Sequence, residues 1–418
     1  MKRKTLQLFG LCLVLLAMPF FVCSVLCTNS AYAQAKKEPI KIGLIASMTG
    51  PLAISGKRLD ETLKLYVDQI NKEGGILGRP VEVYVRNDET KQETAIKAIR
   101  ELNDKYGVKL FLGLSASMVV TAVIPELERL NVIGIGHAQS DSLCGSKGGP
   151  NFFRVTANGY LPNRALVNVL HKKFPDVQKW ATISQDYSYG HSCWQSFVER
   201  YKEVDPKFEV VAEQWPKFGA GGGYGSHINA IINSGAQGLY TSMIGSDWIA
   251  FVREAKRYGL FDKIKVFAHG NLIFDETAPL KTEMVDCWAA TQWCTNCFEN
   301  PDSKWLKKAY SAKYGDLTFE QSQTFVAFAY DMMKAYKSAI EKAGTDDVAS
   351  VKKALEGLTY DSLKGKLWIR PEERQGIFSQ CVVHIAPDPK NPVGWKVTES
   401  VVIPGEECMI PLEEAKKL

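Results

Sequence analysis

From residue 40 onward the chain alternates short runs of strand-forming residues with amphipathic helical runs, about once every 25 to 30 residues. Residues 40–46 (IKIGLIA) read as a buried strand. Residues 61–72 follow as a helix with Leu63, Tyr66, Val67 and Ile70 on one face. Gly74 and Gly75 end that helix, because glycine accepts the left-handed turn beyond a C-terminus. The same reading predicts strands at 81–85, 110–114, 132–135, 180–184, 209–213, 238–241 and 264–268, and helices at 92–106 and 119–130. Strands linked by crossover helices require parallel sheets covered on both faces. About ten such units exceed one sheet, so the chain is expected to form two doubly wound parallel-sheet α/β lobes.

The last third changes character. Helical patterns at 305–314, 324–343 and 348–358 are followed by β-type runs at 366–369, 381–385 and 395–401. That shift implies several passages between lobes, expected near residues 156, 286 and 358. Lobe one would hold 38–156 with 287–358, and lobe two 157–286 with 359–418.

The start belongs to no lobe. Lys2, Arg3 and Lys4 precede an apolar run at 8–22, and Ala31-Tyr32-Ala33 puts small residues where a signal peptidase cuts. Residues 1–33 therefore read as a cleaved signal peptide and the mature chain as exported. Removing the leader lowers the net charge from +5 by its three basic residues. A near-neutral chain gives no reason to expect nucleic acid as a partner. Seven cysteines follow the leader, an odd number in a disulfide-permissive compartment. Cys294 and Cys297 have the spacing of a redox or zinc pair, but no second pair completes a zinc ribbon and Phe298-Glu299-Asn300-Pro301 reads as a loop. Local stapling or buried thiols are expected, with no metal and no cofactor.

The segment Gly43-Leu44-Ile45-Ala46-Ser47-Met48-Thr49-Gly50-Pro51, then Gly56, then residues 70–80 (INKEGGILGRP) and Asp88, resembles the opening of the leucine/isoleucine/valine-binding protein family. These are type I periplasmic binding proteins of ABC importers. Asp186-Tyr187-Ser188-Tyr189-Gly190 is similar to the family's second-lobe tyrosine-glycine motif. The resemblance implies two lobes joined by a three-segment hinge, with a ligand cleft between them.

In open α/β sheets, ligands bind beyond the carboxyl ends of the strands. Three first-lobe loops qualify: 47–56 with Ser55, then Ser115, Ala116 and Ser117, and then His137, Ala138 and Gln139. Ser115 and Ser117 are N-cap candidates, where free amides attract an anion. By resemblance Ser115 holds a ligand carboxylate and Tyr189 covers the ligand from the other lobe. Met243 and Asn271 follow neighbouring second-lobe strands. The chain also departs from amino-acid binders of the family. Gln139 replaces a threonine, no tyrosine stands near Ser55, and the loop His269-Gly270-Asn271-Leu272 lacks the acid that neutralises an ammonium. Burying an unpaired ammonium costs several kcal/mol, a large share of the roughly 8 kcal/mol behind micromolar affinity. The ligand is thus expected to lack an α-ammonium.

Other chemistry is weakly marked. The glycine-rich run at 219–225 lacks the Lys-Ser/Thr of a phosphate loop and reads as a turn before a helix. The six histidines show no metal-binding spacing, and no Gly-x-Ser-x-Gly elbow occurs. The expectation is a monomeric, non-catalytic binder of the branched-chain amino acid importer type, which captures a small amino acid, carboxylate or amide by hinge closure and docks on an inner-membrane ABC permease. A ligand sensor feeding a receptor or kinase is the alternative.

Overall fold

The computed structural model describes residues 37–417 apart from 51, 146–147, 295–296 and 316–323, so the expected leader lies outside the described residues. From Ile40 the chain runs β1 (Ile40–Ala46), α1 (Ala53–Lys72), β2 (Val81–Asn87), α2 (Gln92–Tyr106), β3 (Leu110–Gly113), α3 (Ser117–Arg129), β4 (Ile133–Gly136) and β5 (Phe152–Arg154). It continues with α4 (Tyr160–Lys173), β6 (Lys179–Ile183), α5 (Ser188–Val204), β7 (Glu209–Gln214), α6 (Gly225–Asn233), β8 (Gly238–Thr241), α7 (Gly245–Arg257), β9 (Val266–His269), α8 (Phe274–Thr277) and β10 (Cys287–Thr291). The remainder is α9 (Pro301–Tyr314), α10 (Thr324–Ala343), α11 (Val348–Leu355), β11 (Thr359–Ser362), β12 (Gly365–Arg370), β13 (Gln375–Ile377), β14 (Gln380–Pro387), β15 (Trp395–Ile403) and α12 (Leu412–Ala415).

These strands form two sheets, ordered β11-β12-β13-β5-β4-β3-β1-β2 and β15-β14-β10-β9-β8-β6-β7. Each is parallel through its interior and finishes with antiparallel strands at one edge. The doubly wound α/β class is as expected from the alternation, since a strand buried on both faces must be apolar along its length. β3 and β4 are buried at every residue.

The sheets divide the chain at places other than those expected. β10, expected at the start of a first-lobe segment, pairs with β9 and β14 in the second sheet. β11, β12 and β13, expected in the second lobe, extend the first sheet by antiparallel pairing and join it through β5. The chain thus passes between sheets near 155–159, 292–300 and 378–380. Short strands such as Gln375–Ile377 carry too few residues to show a period, so their sheet could not be read locally.

α1 also begins eight residues before the expected start, which puts Ser55 on its first turn. The start packs tightly on the loop after β1. A Cβ on Gly56 would meet the Ser47 carbonyl oxygen at 2.2 Å, so only glycine fits.

Side chains tie the three passages together. Gln292 accepts the Ala157 amide at 2.8 Å, and Gln375 donates to the Thr156 carbonyl at 2.7 Å. Cys294 and Cys297 form a disulfide, a local staple, while Cys144, Cys193, Cys287, Cys381 and Cys408 are buried free thiols. Among the described residues no helix is long and apolar enough to cross a membrane.

Candidate ligand-binding site

The carboxyl ends of both sheets face a cavity of about 440 Å³. From the first half, Ser55 enters from the first turn of α1 and Thr90 from the loop after β2. That loop is fixed by Asp88, which accepts the Ser47 hydroxyl at 2.6 Å and the Thr90 amide at 2.8 Å.

After β3 the backbone turns through Leu114 at φ 52° and delivers Ser115, Ala116 and Ser117 to the cavity. The N-cap of α3 is Ala116, not either serine, and no side chain caps it. Ser117 Oγ instead accepts the Ser140 amide at 3.3 Å. An alanine cap leaves the first amides of the helix unsatisfied, a fault in a purely structural helix and a suitable cradle for an anion.

The loop after β4 supplies His137 and Gln139. His137 packs on Phe328 and Phe325, with ring centroids 5.1 and 5.9 Å away. Burial pushes its imidazole down to about 4, so it is neutral at physiological pH. Ala138 does not line the cavity. Its carbonyl accepts from the buried Arg154 at 2.8 Å, which makes it a structural residue.

The second half contributes Tyr187, Ser188 and Tyr189 at the start of α5, Ile244 after β8, and Asn271, Ile273 and Glu276 after β9. Tyr187 packs on Phe218 at 4.8 Å and Tyr189 at 5.7 Å. Met243 is fully buried beneath the wall and takes no part in the lining; its carbonyl meets His269 Nε2 at 2.9 Å. Asn271 donates to Gln139 Oε1 at 2.9 Å, which joins the two halves across the cavity.

Eight of the ten residues singled out from the sequence therefore meet here: Ser55, Ser115, Ala116, Ser117, His137, Gln139, Tyr189 and Asn271. Sequence reasoning missed Phe325, which enters from α10 some two hundred residues away, and Phe218 and Ile273. The loop after β9 itself lacks an acid, as the sequence reading has it, but the acids come within a few residues. Glu276 does line the cavity, because α8 is a single turn that folds back beside Gly245. Its Oε2 accepts the Gly245 amide at 2.7 Å. Burial raises its carboxyl to about 7, against that amide and with a small push from Asp275.

Five buried polar atoms around the cavity have no hydrogen-bond partner: Ser55 Oγ, Thr90 Oγ1, Ser115 Oγ, His137 Nε2 and the Tyr189 hydroxyl. Leaving such an atom unpaired is costly, and a polar molecule entering the cavity could satisfy all five. Among the described residues no lysine or arginine lines it. A larger depression of about 710 Å³ lies beside α5, rimmed by Glu199, Lys202, Glu203 and Lys417. None of its lining residues carries such an orphaned atom, and Glu203 is already held by Arg164 and Arg200. The smaller cavity is the candidate site.

The glycine-rich run before α6 binds anions of the protein itself. The Gly219 and Gly221 amides donate to Asp247 at 2.7 Å, and those of Gly223 and Tyr224 to Glu254. It is a filled turn.

Residues 39–386 match the periplasmic binding protein family. The Leu/Ile/Val-binding protein homolog 7 of Brucella melitensis is 27% identical over 352 residues, covering 81% of this chain and 86% of that protein. An amino acid ABC transporter substrate-binding protein from Pseudomonas fluorescens Pf-5 superposes with a TM-score of 0.80 at 21% identity, covering 91% of this chain and 98% of the other. A solute-binding protein of an ABC transporter from R. palustris, in complex with 4-hydroxybenzoate, superposes with a TM-score of 0.75 at 19% identity, covering 87% and 97%.

Proposed function

Because this chain belongs to the periplasmic binding protein family, we propose that it is the solute-binding component of an ABC importer, capturing a small carboxylate with an apolar body. The observation that carries this reading is the set of unpartnered groups around an uncapped helix start, with no cation beside them. A carboxylate would receive the Ser115 hydroxyl and the first amides of α3. The body of the ligand would lie among Tyr187, Tyr189, Phe218 and Phe325. Contacts made by both halves at once exist only when the halves are together, so ligand favours the closed population. The protein does this as a monomer, without a cofactor and without turnover, after export to the periplasm through the cleaved leader. It then presents its closed form to a membrane permease. Relatives named for Leu/Ile/Val and a structural neighbour holding 4-hydroxybenzoate support a small carboxylate-bearing ligand.

A second reading rests on Glu276. A carboxyl held near 7 would ionise fully beside an ammonium, which would admit an amino acid. Calorimetry with leucine, isoleucine, valine, 4-hydroxybenzoate and short aliphatic acids separates the two. Tight binding of acids that survives Glu276→Gln within a few-fold supports the carboxylate reading. Tight leucine binding that drops by about 100-fold in Glu276→Gln supports the amino-acid one. No binding of any metabolite in this panel, and none co-purifying in native mass spectrometry, defeats both.

A further inference from the structure

Two of the three passages between the sheets meet at sulfur. Cys294 and Cys297 lie in the segment from β10 to α9 and are bonded to each other. Cys381 is the second residue of β14, immediately after the last passage. Its sulfur lies 3.9 Å from that of Cys294, and the three sulfurs are all within 4.8 Å of one another. Cys294 and Cys381 are fully buried, while Cys297 is half-buried. A free thiol in contact with a disulfide is the arrangement from which exchange proceeds.

We propose that Cys294, Cys297 and Cys381 form a thiol–disulfide exchange site that moves a staple from within one interlobe passage to between that passage and β14. The Cys381 sulfur, having given up its proton, attacks Cys294. The Cys294–Cys297 bond breaks, its electron pair leaves on Cys297, and that thiolate takes a proton. One disulfide and one thiol are present before and after, so no external oxidant or reductant is required.

The products differ in mechanics. A Cys294–Cys297 bond closes a loop of four residues within the passage that follows β10. A Cys294–Cys381 bond ties that passage to β14, three residues beyond the point where Thr291 of β10 already pairs with Cys381, and so shortens the free span that absorbs relative rotation of the halves. It also frees the most accessible of the three sulfurs for further modification. Two features hold the present partition. The sulfurs form a triangle, not a line, so Cys381 must rotate before it can attack along the bond. Burial also pushes the Cys381 thiol up, which keeps its thiolate scarce. Hinge motion that wets this corner would relieve both.

Differential alkylation of the mature protein with N-ethylmaleimide, read by peptide mass spectrometry, tests the site. Wild-type protein should accumulate label on Cys297 together with a Cys294–Cys381 linkage, about tenfold faster for each pH unit between 7 and 9. Cys381→Ser should not. Cys297→Ser, treated with oxidised glutathione, should form the Cys294–Cys381 bond. Equal labelling of Cys297 in wild type and Cys381→Ser, or label on Cys381 with the Cys294–Cys297 bond intact, would overturn the proposal. Should Cys297→Ser fail to fold, the comparison of wild type with Cys381→Ser still decides.

Discussion

Replacing Ser115 with alanine should move affinity and stability in opposite directions. The Ser115 side chain is buried at the mouth of α3 and its hydroxyl has no hydrogen-bond partner within the protein. An unsatisfied buried hydroxyl costs about 1–3 kcal/mol, while removing a methyl-sized hydroxyl leaves almost no void. Ser115→Ala should therefore raise the stability of the empty protein by about 1 kcal/mol, roughly 1–2 °C in Tm for a chain of this length. A hydroxyl donating to a carboxylate contributes about 1.5–3 kcal/mol, so the same change should weaken ligand binding by about 10- to 150-fold. Calorimetry with the tightest ligand of the carboxylate panel measures the second effect, and differential scanning calorimetry without ligand the first. An affinity within twofold of wild type, with a Tm lowered by several degrees, would show that Ser115 is a structural hydroxyl and that the carboxylate end has been misplaced.

Tyr189→Phe removes another orphaned hydroxyl while keeping the ring, so it should leave the empty protein as stable or slightly more so and cost about 3- to 30-fold in affinity, checked by the same pair of measurements. His137 has its imidazole held down at about 4 in the fold against about 6.5 unfolded, so its stability contribution is full above about 6.5 and is lost as pH falls towards 4. Denaturant titrations of His137→Gln should therefore show about 2 kcal/mol less acid loss between pH 7 and 5 than wild type, with an equal slope counting against the assignment. Gly56→Ala forces a Cβ onto the Ser47 carbonyl and should cost about 1–3 kcal/mol while weakening binding through a displaced Ser55, seen as a lower Tm and a raised Kd together.

The alternation of period-2 and period-3.6 segments was enough to read two doubly wound sheets, because a strand covered on both faces must be apolar and its crossover helix amphipathic. The loops at the strand ends followed from that topology, which is why Ser115, Gln139 and Asn271 could be named from the sequence, while Tyr189 came from the resemblance of its motif; all four meet at one cavity. Which residues complete that cavity was decided in three dimensions. Phe325 arrives on a helix whose buried face says only that it packs, and Glu276 reaches the cavity through a one-turn helix too short to carry a pattern. Sheet membership of β10 and of β11 to β13 was equally hidden, since strands of three to six residues take their partners from the sheet they meet and not from their own few residues. The contact of Cys381 with Cys294 belongs to the same class: eighty-seven positions separate them, and only the antiparallel pairing of β10 with β14, which sets Thr291 opposite Cys381, brings their sulfurs together. Local sequence sets what each segment prefers to be; long-range pairing, where many weak preferences are satisfied at once, settles what it touches.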